Sequence, residues 1–524
     1  MHRRKFLQFL GGLGLTATFS GYGCVYTYKT AKQQHISKLS QIEYTGIAPN
    51  SLDDVVLSPE LKYDLLISWN DPISKADKFG FDNDYLCIFK INDAANDLLL
   101  WVNHEYCDRF IMKTQAATKL DIEQEMYAVG GTIIRIKQNP ESKKWSLVKN
   151  DAYNRRITAL TPIPFADNIA IKGNKTAIGT LANCAGGKTP WNTLLTCEEN
   201  YYLFVGETNY TTQPATHIDS DLGWEKFYPA HLPEHYGWVV EIDPYTGKAQ
   251  KHTAMGRFAH ECATTVLTKD GRCVVYTGDD NYFECLYKFI ADKPGSLATG
   301  TLYVANLEKG EWIPLDYKNN PDLRAKFKTK LDMLVRTREA AHLVGGSKLD
   351  RPEDIEIHPF TNEVFVSLTN NSKNNNYHGA ILKIVEQNND HAALHFKHEY
   401  FLTGGEETGF SSPDNLIFDD HGNLWFTSDI SGSAMKNSEY LPFKNNGLFM
   451  VPASGKNAGK VLQIASAPNN AEFTGPMFSP NYDTLFLSVQ HPGENANTQT
   501  GYLSHWPRGK SAAPKPSVIA ISLV

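Results

Sequence analysis

Several signatures that would narrow the function of this 524-residue chain are missing. Its eight cysteines, at 24, 87, 107, 184, 197, 262, 273 and 285, form no Cys-x-x-Cys pair. That excludes a zinc ribbon and a thioredoxin-like redox centre. There is no Gly-x-Ser-x-Gly elbow to mark a serine nucleophile, and no dinucleotide fingerprint opens a helix after a strand. Positive charge is not in surplus: 51 Lys and Arg stand against 58 Asp and Glu, a net charge of −7. The chain therefore shows no electrostatic footprint for nucleic acid or an anionic membrane. Past the N-terminus no run of 18 apolar residues occurs, so the body has no membrane span. Helix-period segments are scarce, the best being 323–343, which predicts one inserted helix. Low-complexity sequence is confined to an Asn-rich loop at 370–376. What remains is 41% hydrophobic and 11% aromatic, enough for a large core and too much for disorder.

The N-terminus carries an export pattern. Arg3 and Arg4 precede an apolar run from Phe6 to Phe19 that is broken by Gly11, Gly12 and Gly14. A twin arginine before a modestly apolar segment fits the Tat route, an address rather than an anchor. Tyr22-Gly23-Cys24 resembles a lipoprotein box, so lipid anchoring at Cys24 stays open, as does an uncleaved N-terminal anchor. Residues 1–24 are thus expected to be a Tat signal and 25–524 a single domain, periplasmic or secreted. Disulfides are allowed in that compartment. With Cys24 set aside seven cysteines remain, so at least one thiol has no partner within the chain.

Short β-rich runs separated by Gly, Asn, Asp and Pro give an all-β pattern. Six of these runs look related, at 98–103, 193–197, 273–277, 363–367, 423–427 and 484–488. Three are often followed by a strand opening on glycine, at Gly237, Gly379 and Gly447. Six units predict an all-β, six-bladed β-propeller with inserted helices and loops. A sandwich or a parallel β-helix is the alternative.

Each related run ends in polar or metal-capable residues: His104-Glu105, Glu198-Glu199-Asn200, Asp279-Asp280, Asn370-Asn371, Asp429 and Gln490-His491. A second set lies upstream of units two to six: Cys184, Glu261, Glu353, Asp414 and Glu472. Residues recurring at one position of a rotational repeat form a ring around the axis. Two such rings would crowd carboxylates at one mouth, where they resist ionisation unless cations relieve the repulsion. Carboxylates suit Ca²⁺ or Mg²⁺, whereas a thiolate favours Fe or Zn. One or two transition metals plus calcium follow, with Cys184 in the mixed site and Gly186-Gly187 allowing close approach of the backbone. Arg351 stands two residues before Glu353, the spacing that puts both side chains on one side of a strand. Its guanidinium is placed to fork onto a phosphate at the metals. His491 is positioned to reach the same pocket, and His260 is expected in the core.

The order of these motifs is similar to that of PhoX-type alkaline phosphatases. The resemblance rests on Asn183-Cys184-Ala185-Gly186-Gly187-Lys188-Thr189-Pro190-Trp191 running to Thr196-Cys197-Glu198-Glu199. It also rests on Gly256 to Glu261, Gly278-Asp279-Asp280, Arg351-Pro352-Glu353-Asp354 and Gln490-His491-Pro492-Gly493-Glu494. It implies a Tat-exported propeller with ferric iron and calcium. Cys184 would be an iron ligand, Glu261, Asp280 and Glu353 carboxylate ligands, and Arg351 a phosphate-binding group. Glu105, Glu199, Asp414 and Glu472 join the metal set from the repeat argument. Asn192 and Asn415 depart from the family pattern, both expected near the site.

The expected activity is metal-dependent hydrolysis of phosphate monoesters by a monomer. A metal-bound oxide or hydroxide would attack phosphorus in line with the leaving oxygen, with Arg351 and Glu353 in catalytic roles and Arg351 and His491 binding substrate. Two alternatives stand beside it: a calcium-dependent propeller lactonase or esterase, and a non-catalytic calcium-binding propeller.

Overall fold

The computed structural model describes residues 38–524. The twin-arginine leader and Cys24 lie outside the described residues. No described helix is long and apolar enough to cross a membrane.

Six antiparallel sheets of four or five strands follow one another along the chain. Together they make a six-bladed β-propeller. The inner strands are Asn83–Lys90, Asn183–Lys188, Thr264–Leu267, Pro352–Ile357, Pro413–Phe418 and Glu472–Phe478. The six related sequence runs are the second strands, Asp97–His104, Leu194–Glu198, Cys273–Gly278, Val364–Leu368, Leu424–Ser428 and Leu485–Gln490. They are the most apolar segments because neighbouring blades cover both of their faces. Leu98, Leu99, Leu100, Trp101 and Val102 of the first are fully buried. The ring closes through the N-terminal strand Leu61–Ser68, which pairs with the C-terminal strand Ser517–Leu523 as the outer edge of blade six. Joining the two ends of the chain in one sheet ties the first blade to the last.

Apolar clusters fill the gaps between blades. Val274, Tyr276 and Leu286 of blade three pack with Ile355, Val366 and Leu382 of blade four. Two ion pairs are fully buried: Lys251 with Glu198 at 2.6 Å within blade two, and Lys288 of blade three with Glu386 of blade four at 3.1 Å. Tyr276 and Trp312 also donate to Glu386, so its remaining lone pairs are met.

Two expectations change. The region 323–343 is three short helices, Pro321–Lys326, Lys330–Val335 and Thr337–Val344. Thr329 takes an extended conformation and accepts from Asp332 N, capping a new helix. Arg336, at φ −114° and ψ 42°, breaks the chain again. The glycines at 186 and 187 serve packing between strands and blades. A Cβ on Gly186 would stand 2.2 Å from Leu195 O, and one on Gly187 2.0 Å from Ala263 O. All seven cysteines among the described residues are free thiols.

Candidate metal centre and active site

Antiparallel pairing decides where the candidate residues go. In each blade the inner strand starts at the mouth where the second strand ends. Asn83 pairs with His104, Asn183 with Glu198, Pro352 with Leu368, Pro413 with Ser428 and Glu472 with Gln490. The two sequence sets therefore meet at one end of the channel.

The inner strands share a further feature. Register slips by one residue between Asn83 and Leu86, Asn183 and Gly186, Pro352 and Ile355, and Pro413 and Leu416. Each slip is a β-bulge, which bends a strand and re-aims a side chain. The bulge begins at Asp84, Cys184, Glu353 and Asp414, four of the residues that reach the axis. In blade six the slip lies at Thr474 and Met477, so Glu472 approaches from a position before the bulge.

Glu105, Cys184, Glu199, Glu261, Asp280, Arg351, Glu353, Asp414, Glu472 and His491 all line one cavity of 310 Å³. Cys184 Sγ lies 3.2 Å from Asp84 Oδ2 and 3.0 Å from Glu261 Oε1. Ligand atoms of Asp84, Glu105 and Cys184 fall within 4.8 Å of one another, as do those of Cys184, Glu199 and Glu261. Arg351 donates from Nε and Nη2 to the two oxygens of Asp280, at 2.9 and 2.8 Å. Its Nη2 also lies 2.5 Å from Glu353 Oε1, and its Nη1 donates to Asp429 Oδ2 at 3.0 Å. Arg351 precedes the strand, in a left-handed conformation at φ 54°, so it does not share a strand face with Glu353 as expected and reaches that carboxylate from a turn. His491 Nε2 stands 3.3 Å from Glu472 Oε1.

Sequence reasoning missed Asp82, Asp84, Asp108 and Glu494 as lining residues, whereas Asp429, the end of the fifth related run, does line the cavity. Asp84 is the blade-one counterpart of Cys184. Its signal was hidden by a longer loop, Ile91 to Asn96, which separates it from His104 by more residues than in the later blades. Asn192 does not lie near the site: it turns between the strands Asn183–Lys188 and Leu194–Glu198, away from the mouth, and donates to Tyr245 Oη at 2.9 Å. Asn415 does adjoin the site, donating to Asp414 Oδ1 at 2.8 Å and accepting from Gly475 N at 2.6 Å. His260 is buried between Thr277 Oγ1 and Gly256 O, each at 2.9 Å.

Twelve carboxyl groups and one arginine line the cavity. Burial is the first cause that lifts Glu105, Glu199, Glu261, Glu353, Asp414 and Glu472 well above the usual carboxylate range. Neighbouring carboxylates add to it in each case. Asp84 rises to about 7 for the same reasons. The Cys184 thiol is pushed well up by burial and by the field of Asp84, Glu105, Glu261 and Glu199. Burial also works against the charge on Asp429, yet Arg351 holds that carboxyl below its ordinary value. Burial opposes protonation of His491, but Glu472, Glu494 and Asp82 outweigh it and hold the imidazole well above its usual range.

Such a mouth has too much latent negative charge for one arginine and one histidine. Asp82 Oδ1 and Asp84 Oδ1 are buried without a hydrogen-bond partner. Unmet, buried carboxylate oxygens beside a thiol are what multivalent cations would satisfy. The donor set thus fits metals.

The family model described as alkaline phosphatase PhoX matches residues 42–493. The chain belongs to the PhoX alkaline phosphatase family. It is a metal-dependent phosphatase that hydrolyses phosphate esters. Among solved structures, Pseudomonas fluorescens PhoX in complex with vanadate, a transition state analogue, is 29% identical. The alignment covers 92% of this chain and 98% of that one, with a TM-score of 0.82. A gluconolactonase from Xanthomonas campestris shares 13% identity over 85% of this chain and 97% of its own, with a TM-score of 0.31. A protein of unknown function from Dyadobacter fermentans shares 9% over 89% and 100%, with a TM-score of 0.40. Both superpose too loosely to bear on function. No curated protein matches the chain.

Proposed function

We propose that this PhoX-family phosphatase uses iron and calcium at the propeller mouth to hydrolyse small phosphate monoesters outside the cytoplasm. The observation that carries the reading is the thiol of Cys184 set among Asp84, Glu105, Glu199 and Glu261. A thiolate with carboxylates suits one or two ferric ions. Asp82, Asp280, Glu353, Asp414 and Glu472 form an oxygen-only set suited to several calcium ions. Bound there, such cations neutralise phosphate oxygens and supply a nucleophile at neutral pH.

The chain's own groups do the positioning. Arg351 is gripped by Asp280, Glu353 and Asp429, so its donors are oriented before substrate arrives and need no reorganisation as charge builds on the phosphoryl group. Glu353 touches both Arg351 and the acidic mouth, which couples the guanidinium to the metal set. His491, protonated against Glu472, adds a second positive donor for phosphate. The leader at 1–24 belongs to this reading, as a Tat signal delivering a folded, metal-loaded, monomeric propeller of residues 25–524 to the periplasm or beyond. The propeller is released, or held by lipid at Cys24.

Release of phosphate from an aryl phosphate by the purified protein, with elemental analysis of the same sample, tests the reading. Activity abolished by chelation and by Glu353→Ala, with iron and calcium both present, is the expected result. Turnover that persists after stringent metal removal would overturn it.

A further inference from the structure

Arg351 has a second cavity on its far side. This space, of 170 Å³, is lined by Tyr282, Tyr377 and Tyr440 together with Asn370 and Asn437. Arg351, Asp429 and Ser431 line both this cavity and the acidic one, so the two adjoin. Nothing in the phosphate chemistry uses it.

The three tyrosines come from different blades. Tyr282 follows the second strand Cys273–Gly278, Tyr377 follows Val364–Leu368 and Tyr440 follows Leu424–Ser428. All three loops leave the mouth that holds the carboxylates. Their rings are held from behind. Tyr440 is 6% exposed and packs edge-on to His378, with centroids 6.0 Å apart. Lys373 Nζ lies 5.3 Å from the Tyr282 ring centroid, and Tyr282 Oη donates to Asn370 Oδ1 at 3.3 Å. Asn370 is itself buried and donates to Ser412 Oγ at 3.2 Å. These contacts order the walls without filling the space between them.

In-line displacement at phosphorus sends the leaving oxygen away from the attacking one. A phosphate held by Arg351 against the acidic cavity therefore has its ester oxygen free to point out of that cavity. The tyrosine-lined space is the adjoining volume. Aromatic walls stack on flat rings and offer little to a short polar alcohol.

We propose that this cavity is the leaving-group subsite, and that it selects monoesters whose alcohol carries a planar aromatic ring. The proposal rests on the phosphatase reading above. Benzyl phosphate and ethyl phosphate test it, because both are esters of primary alcohols and differ chiefly in the ring. The native enzyme is expected to show the lower KM for benzyl phosphate. Tyr282→Ala should raise that KM about fivefold, the loss of one ring contact, and leave ethyl phosphate unchanged. Asn437 is exposed, so Asn437→Trp fills the cavity without disturbing the core and serves if the first variant folds poorly. It should weaken benzyl phosphate alone. Equal changes for both esters, no change for either, or no native preference for the ring would overturn the subsite. Release of phosphate from neither ester by the native, metal-loaded enzyme would instead sink the phosphatase reading itself.

Discussion

Removing the cations should make the protein's stability fall as pH rises, opposite to the behaviour of an ordinary salt-bridged fold. Asp84 shows the size of the effect. It is 1% exposed, and its carboxyl moves from an ordinary 3.8 to about 7 on folding. A folded-state pKa above the unfolded one means that the folded state binds the proton more tightly. The associated stability is fully present below about pH 4 and is lost as pH rises through 7. It amounts to about 4 kcal/mol, of which about 3 kcal/mol falls between pH 5 and 8. The other raised carboxyls at the mouth act in the same direction. Glu234 and Glu241, held at about 2 by their hydrogen bonds and charged partners despite burial, act oppositely only as pH falls below about 4.5. His231, His260 and His391, lowered by burial to about 4, 3 and 4, act oppositely up to about pH 6.5, but they are fewer than the raised carboxyls. Urea denaturation of chelated enzyme at pH 5 and pH 8 reads the difference directly. Metal-loaded enzyme should lack this loss, because cations replace the protons and bind more tightly as pH rises. Chelated protein equally stable at both pH values would refute the reasoning, as would an identical loss in the loaded form.

Replacing Arg351 with lysine keeps the charge but removes the planar fork on Asp280. It should lower kcat/KM by about a hundredfold with melting temperature nearly unchanged, measured by phosphate release and calorimetry. Cys184→Ser should abolish bound iron and turnover together, read by elemental analysis, while a calcium lactonase of this shape would barely register it. Gly187→Ala places a methyl group 2.0 Å from Ala263 O and should cost about 2 kcal/mol in urea without changing metal content. Lys288→Met leaves Glu386 buried without its cation. It should cost about 3 kcal/mol, the low end for a broken buried pair, because Tyr276 and Trp312 still donate to that carboxylate.

Much of the site was legible because the fold repeats. The second strands are buried on both faces, so each reads as an apolar run, and the run's end marks the mouth. Glu105, Glu199, Asp280 and His491 were found at such ends. Cys184, Glu353 and Asp414 were found at a matching offset upstream. The same logic failed at Asp84, where a longer hairpin loop changed the offset, and at Glu494, which no repeat announces. It also misplaced Asn192, since adjacency in sequence to the Cys184 motif carries the chain down the blade and away from the mouth.

Local order alone determined the all-β character, the number of blades and the residue types on offer, because strand propensity and alternation are properties of short segments. Tertiary structure alone decided how the side chains meet. Antiparallel pairing brings the two sets to one end, a bulge in four of the inner strands turns Asp84, Cys184, Glu353 and Asp414 inward, and the ring closes only when Leu61–Ser68 reaches Ser517–Leu523. The grip of Asp280 and Asp429 on Arg351 joins blades more than 70 residues apart in the chain, and the tyrosine cavity behind it joins three blades. Such contacts are set by rotation about an axis, which no window of sequence contains.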